Sequence, residues 1–369
     1  MIIGVPKEIK TKECRVAMIP AGVKTLAGHG HKVLIQRSAG EESGISDKHY
    51  LQAGAEIKES AEDIFDEAEM IVKVKETLPE EYDLLHEDQV LFTYLHLAPV
   101  LELTEALLRQ KVIAIAYETI QLEDGSLPLL IPMSEIAGKL SVQVGAHYLQ
   151  KENGGSGVLL GGVPGTEAGR VAIIGAGTVG ANAAKVALGM GANVTILDID
   201  LNKLRHLKDI SPNLTALVSN SSNIEAAVAG ADLLVGCVLI PGATAPRLVT
   251  KEMISKMRRG SVIVDVAVDQ GGCFETTVPT SLDNPTFVVD GVIHYCVPNM
   301  PSVVARTSTF ALTSTTFPYV LKLANSGYQK ALTSDVSLCK GLNVYKGNVT
   351  NKAVADSLCL EYAPFEALL

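Results

Sequence analysis

The chain has 369 residues, 47% of them hydrophobic and 20% charged, more than a single core usually accommodates, which predicts two domains. A formal net charge of −10, with no basic stripe, argues against a nucleic-acid partner, and no apolar run approaches the roughly 18 residues of a membrane span. The N-terminal MIIGVPKEIKTKECR lacks the order of a secretory signal, and Cys14, Cys237, Cys273, Cys296, Cys339 and Cys359 are scattered without zinc-ligand spacing, so the expectation is a cytoplasmic protein with reduced thiols and no metal.

In chain order, MIIGV, HKVLIQR, MIVKVK, QVLFTYL and VIAIAYE read as short strands, with helical patterns in PAGVKTLAGHG, SAEDIFDEA and LTEALLRQ. Strands and helices alternating at this spacing predict βαβ units and a mostly parallel sheet. The stretch MSEIAGKLSVQVGAHYLQKE then has helical periodicity, with Ser134 as its expected N-cap and Gly154 and Gly155 as its stop. From Arg170 the alternation restarts with VAIIG, a helix over residues 179–190, NVTILD, LTALVS, DLLVGCV and SVIVDVAV. A second long helical pattern follows Pro301, after which the tail is expected to return to the first domain. The predicted fold is therefore α/β: two Rossmann-like doubly wound parallel-sheet domains, linked by long helices, with a cleft between them. Residues 1–132 with 307–369 form one domain and 133–306 the other.

The most ordered signal is RVAIIGAGTVGANAAKVALGMGANVTILD, where a buried strand runs into Gly175, Gly177 and Gly180 and directly into a helix. Glycines at this spacing permit a tight turn, close approach of pyrophosphate and close helix packing, while the helix N-terminus favours an anion. Asp198 ends the next strand, 18 residues after Gly180. A carboxylate there accepts hydrogen bonds from ribose hydroxyls and repels a 2′-phosphate, so NAD is expected over NADP.

Polar residues stand where strands of the first domain should end: Arg15 in CRVAMIP, Lys75 in MIVKVKE and His96 in LFTYLHLA. Taken singly, Arg15 and Lys75 read as solvated cations and His96 as a packed core histidine. Together the two cations suit a substrate carboxylate, and a histidine at the carboxyl end of a sheet strand suits general acid–base work. In the second domain VDVAVDQGG carries Asp265 and Asp269, the latter opening a glycine-rich loop.

The runs GVPKE, RVAMIP, VKVKE, LFTYLHLA, PMSEIAGKLSVQVGA, GGVPG, GAGTVG, VDVAVDQGGCFE and NMP followed by RTST cover nearly the whole chain. In these runs the sequence resembles the family of NAD-dependent L-alanine dehydrogenases. The resemblance implies reversible oxidative deamination of L-alanine to pyruvate and ammonia, with Arg15 and Lys75 binding the substrate and His96 and Asp269 exchanging protons. It also implies cofactor contacts from Ser134, Thr178, Val179, Asp198, Lys203, Ser219, Val238, Leu239 and Asn299, beside the glycines, and a homohexamer. The chain departs from the family pattern at Thr77, where proline is expected, and at Ser302 and Ala305, where glycine and proline are common. Two other functions compete: the nucleotide-binding subunit of a proton-translocating transhydrogenase, and a non-catalytic NAD-binding sensor. The joint presence of Arg15, Lys75, His96 and Asp269 favours the dehydrogenase.

Overall fold

A computed structural model describes residues 1–238 and 245–369. The chain divides into two units, residues 1–133 with 302–369 and residues 134–301. In the first, β1 (Ile2–Val5), β2 (Lys32–Gln36), β3 (Glu56–Lys58), β4 (Met70–Val72), β5 (Val90–Thr93) and β6 (Ile113–Ala116) lie parallel in the order β6-β5-β4-β1-β2-β3. Every residue of β4, β5 and β6 is buried, as apolar runs covered by helices on both faces require. Close packing of helix Ala61–Glu67 on β1 needs Gly4, where a Cβ would come within 2.7 Å of Ile64 Cγ2. The sheet order reverses between β1 and β4, which makes the carboxyl ends of these two strands the expected ligand position.

The second unit repeats the device with β7 (Arg170–Ile174), β8 (Asn193–Asp198), β9 (Leu214–Val218), β10 (Leu233–Gly236), β11 (Val262–Asp265), β12 (Thr286–Val289) and β13 (Val292–Tyr295), ordered β12-β13-β11-β10-β7-β8-β9. Its reversal falls between β7 and β10. The tail supplies β14 (Leu342–Tyr345) and β15 (Asn348–Val349), which extend the first sheet beyond β6.

Each sheet is parallel except toward one edge. β12 pairs antiparallel with β13, and β14 antiparallel with both β6 and β15. The β12–β13 and β14–β15 pairings have a local cause: Asp290-Gly291 and Lys346-Gly347 are two-residue turns with φ positive at both positions, the geometry that joins adjacent antiparallel strands. The helix linking the units is Ile131–Tyr148, so Ser134 lies inside its first turns and is not the N-cap; Pro132 fits there because first-turn amides have no intrahelical acceptor. The second long helix is Ala305–Ser326. Among the described residues no helix is long and apolar enough to cross a membrane, and no group of three or more His, Cys, Asp or Glu is placed to hold a metal ion.

Candidate active site

The nucleotide fingerprint forms at the β7/β10 reversal, and its three glycines have three different physical causes. Gly175 leaves β7 at φ +104°, a left-handed conformation that side chains disfavour. Gly180 sits in helix Thr178–Gly189 where a Cβ would come within 1.9 Å of the Gly175 carbonyl oxygen, so glycine is required for the helix to meet the loop. A Cβ at Gly177 would meet no atom within 4 Å. Nothing among the described residues requires glycine at that position, and a backbone left bare at a helix N-terminus fits a pyrophosphate.

Asp198 ends β8 with its side chain directed toward the loop. Its Oδ2 accepts the Ala176 amide at 2.7 Å and its Oδ1 the Asp200 amide at 2.8 Å. These bonds fix the carboxylate and leave lone pairs for ribose hydroxyls. The Ser219 amide bonds the Asp198 carbonyl at 2.9 Å, placing Ser219 beyond the end of β9, and Lys203 is exposed on helix Leu201–Lys208. Val238 follows β10, its amide directed at Cys273 Sγ at 3.4 Å. Thr178 and Val179 open the glycine-flanked helix, whose Val179 carbonyl would lie 2.2 Å from a Cβ at Gly138 on the linking helix. Asn299 adopts φ +59°, and Leu239 lies outside the described residues. The residues present thus fit a dinucleotide.

Beyond β11, Asp265 and Asp269 have separated roles. Asp265 is buried and accepts the Ala267 amide at 3.0 Å, the Cys273 amide at 2.9 Å and the Thr277 hydroxyl at 2.5 Å; burial pushes its carboxyl above the usual range. It is an organiser of the loop. Asp269 lies on the short helical turn Val268–Gln270 and is exposed.

In the first unit the expected substrate cations come together around the β1/β4 reversal. Arg15 is 2% exposed in the segment between β1 and the following helix. Its Nε and Nη2 donate to Glu13 Oε1 and Oε2, each at 2.6 Å, and Nη1 lies 3.1 Å from Met133 Sδ. Burial opposes the guanidinium charge, but the Glu13 pairing outweighs it and Arg15 is held above its ordinary range. The Nε–Nη2 edge is therefore taken by Glu13. Lys75 follows β4; burial, and then the neighbouring Arg15 charge, lower its affinity for a proton. Tyr94 joins the group, its hydroxyl donating to the Leu129 carbonyl at 2.5 Å and its phenol pushed upward by burial.

His96 is placed differently from the sequence expectation. β5 stops at Thr93, three residues earlier. The Leu95 and His96 amides donate to the Glu118 carboxylate at 3.1 and 2.6 Å, which takes them out of the sheet ladder, and His96 turns into the left-handed region at φ +50°. Its imidazole lies nearly parallel to the Tyr94 ring, with centroids 5.9 Å apart, and Nδ1 is 4.0 Å from Glu118 Oε1. The side chain is 48% exposed. It is no core histidine; a clamped backbone presents it to solvent.

Sequence reasoning overlooked Glu8, Glu13, Lys73 and Glu118, the charged residues that hold the expected site in place. Glu8 in GVPKE and Glu13 two residues before Arg15 were visible as acids beside cations, but burial alone separates them from surface charges.

The two halves of this architecture match two family models: Alanine dehydrogenase/PNT, N-terminal domain, over residues 4–137, and Alanine dehydrogenase/PNT, C-terminal domain, over residues 141–352. An alanine dehydrogenase of Methanococcus maripaludis is 59% identical over the full length of both chains. A solved L-alanine dehydrogenase superposes with a TM-score of 0.95 at 55% identity, covering 97% of this chain and 99% of that one. A transhydrogenase structure from Sinorhizobium meliloti shares the fold, with a TM-score of 0.81 at 24% identity, covering 96% of this chain and all of that one. Family membership implies a nicotinamide cofactor and small-molecule substrates, in keeping with a bare-backbone cradle on one unit and paired cations on the other. The chain belongs to the alanine dehydrogenase/PNT family.

Proposed function

We propose that this protein catalyses the reversible reaction of L-alanine, NAD and water to pyruvate, ammonium, NADH and a proton. The observation that supports it best is the gathering of Arg15, Lys75 and Tyr94 beyond the β1/β4 reversal, with His96 held solvent-accessible just past β5. A transhydrogenase subunit or a sensor has no need of paired cations beside an acid–base histidine.

When bound, the nicotinamide supplies an acceptor for the hydride on Cα. Arg15 and Lys75 hold the substrate carboxylate. Deamination needs a neutral amine, so a proton must leave the alanine ammonium. It then needs water activated for attack on the imine, and a proton delivered to the departing ammonia. His96 and Asp269 share these transfers: both are exposed, and both are carried on short, fixed backbone segments. In reverse, His96 hydrogen-bonds the pyruvate carbonyl oxygen.

Thr178, Val179, Gly175, Gly177 and Gly180 would cradle pyrophosphate, and Asp198 would take the adenosine ribose, with Ser134, Lys203, Ser219, Val238, Leu239 and Asn299 completing the contacts. Because Asp198 sets a fixed negative charge where NADP carries phosphate, NAD is the cofactor; Asp198→Ala should narrow the NAD preference by roughly tenfold or more. Equal efficiency of the unmutated protein with NADP would overturn that role. The proposal includes a homohexamer acting without membrane or nucleic acid, which light scattering of the purified protein tests. Pyruvate- and ammonia-dependent NADH oxidation by the purified chain tests the reaction, and oxidation supported only by larger 2-oxo acids would overturn the substrate.

A further inference from the structure

The run VKVKE places two lysines two residues apart, yet their surroundings differ completely. Lys75 belongs to the proposed substrate site. Lys73 is wholly buried, with Nζ 2.6 Å from Glu81 Oε1 and 3.4 Å from Glu8 Oε2. A lone buried ammonium would be strongly disfavoured and would lose its proton. Here burial pulls the lysine down, but Glu8 and Glu81 outweigh it and keep Lys73 charged.

The other oxygens of the two carboxylates grip the backbone around Lys75. Glu8 Oε1 accepts the Val74 amide at 2.6 Å and the Lys75 amide at 3.4 Å. Glu81 Oε2 accepts the Leu78 amide at 2.9 Å. One ammonium therefore anchors two carboxylates that pin the segment before and after Lys75. The Lys75 carbonyl is in turn bonded by the Thr93 hydroxyl at 2.8 Å, and the Lys73 amide by the Phe92 carbonyl at 3.1 Å, which ties the segment to the strand leading toward His96.

Buried ion clusters are weak as stabilisers, since an apolar set of the same volume often does as well. What this cluster supplies, and an apolar set does not, is charged acceptors for three amides flanking a substrate-binding lysine. We propose that Lys73 is a positioning residue for the reaction: bridging Glu8 and Glu81, it fixes the 74–78 segment so that the Lys75 ammonium stands beside Arg15 to receive the substrate carboxylate. This rests on the reading of Lys75 as a substrate ligand.

The test is a double-mutant cycle on the full-length protein. Lys73→Met keeps length and removes the charge; it should raise KM for pyruvate roughly tenfold or more while the Kd for NADH stays unchanged. In a Lys75→Met background the same substitution should add nothing, because its effect passes through Lys75. Binding of oxamate, a non-reacting pyruvate isostere, to the NADH complex gives the same comparison where turnover is too slow. Should Lys73→Met fail to fold, Glu81→Gln keeps the Glu8 pairing and should raise KM by a smaller factor, again only when Lys75 is present. A KM unmoved by Lys73→Met, or by Glu81→Gln where that variant stands in, or raised equally in both backgrounds, overturns the positioning role. An unchanged KM in Lys75→Met alone overturns the substrate-site reading on which it rests.

Discussion

The two units use the same topological device and fill it with opposite chemistry. Each is a parallel sheet whose strand order reverses once, between β7 and β10 in one and between β1 and β4 in the other. At the first reversal the site is mostly backbone: Gly175, Gly177, Gly180, a helix N-terminus and one oriented carboxylate. At the second it is side-chain charge, with Arg15 locked to Glu13 and Lys73 to Glu8 and Glu81. In the proposed reading, a large anionic cofactor with a repeating phosphate shape is met by amides that need no particular side chain. A small carboxylate offers little shape, so its recognition depends on cations whose positions must be fixed by buried partners.

The largest effect should fall on the charged side of this contrast. His96→Ala and Asp269→Asn should each lower kcat by about 10²- to 10⁴-fold while NADH still binds. Their combination should cost far less than the product of the two, as expected of groups sharing one proton path. A His96→Ala enzyme with near-normal turnover would return His96 to a structural role. The backbone side is sharpened by two glycines three positions apart. Gly180→Ala should lower stability by about 1–3 kcal/mol, because its Cβ would come within 1.9 Å of the Gly175 carbonyl oxygen. Gly177→Ala meets no atom of the described residues within 4 Å, so thermal melting should be unchanged while NADH binding weakens. Equal melting losses in both variants would mean that Gly177 serves the fold and not the ligand.

The smallest effect is a pH limb. Burial and Arg15 lower the Lys75 proton affinity, so its charge is lost at a pH below the ordinary lysine range. KM for pyruvate should accordingly rise on the alkaline side before an ordinary lysine would titrate, and Lys75→Arg should move that rise upward. The nucleotide cradle, being mostly backbone, should show no matching change in the Kd for NADH. A parallel alkaline loss of NADH binding would erase the distinction between the two sites.

This contrast also explains what could be read from sequence. The glycine fingerprint and Asp198 were legible because backbone constraints write themselves as residue types at fixed spacing. The parallel interiors of both sheets were legible from buried apolar runs. The hairpins at the sheet edges were missed although Asp290-Gly291, between FVV and VIHY, carried a strong turn signal. His96 was expected at a strand end, but the apolar run continues past the last ladder bond, and only Glu118, distant in sequence, reveals where pairing stops. Ser134 looked like a cap because serine and an acid adjoin there; the helix begins three residues earlier. Glu8, Glu13 and Lys73 were not legible as site supports, since a buried ion pair and a surface charge are written with the same letters.

In the proposed reaction the paired cations and His96 present L-alanine for loss of the hydrogen on Cα. Its most direct test is incubation of the purified protein with NAD and L-alanine carrying deuterium only at Cα, followed by mass measurement of the reduced cofactor. NADH heavier by one deuterium should form, with pyruvate in equal amount and more slowly than from unlabelled alanine where transfer limits the rate. NADH formed at its unlabelled mass would contradict it.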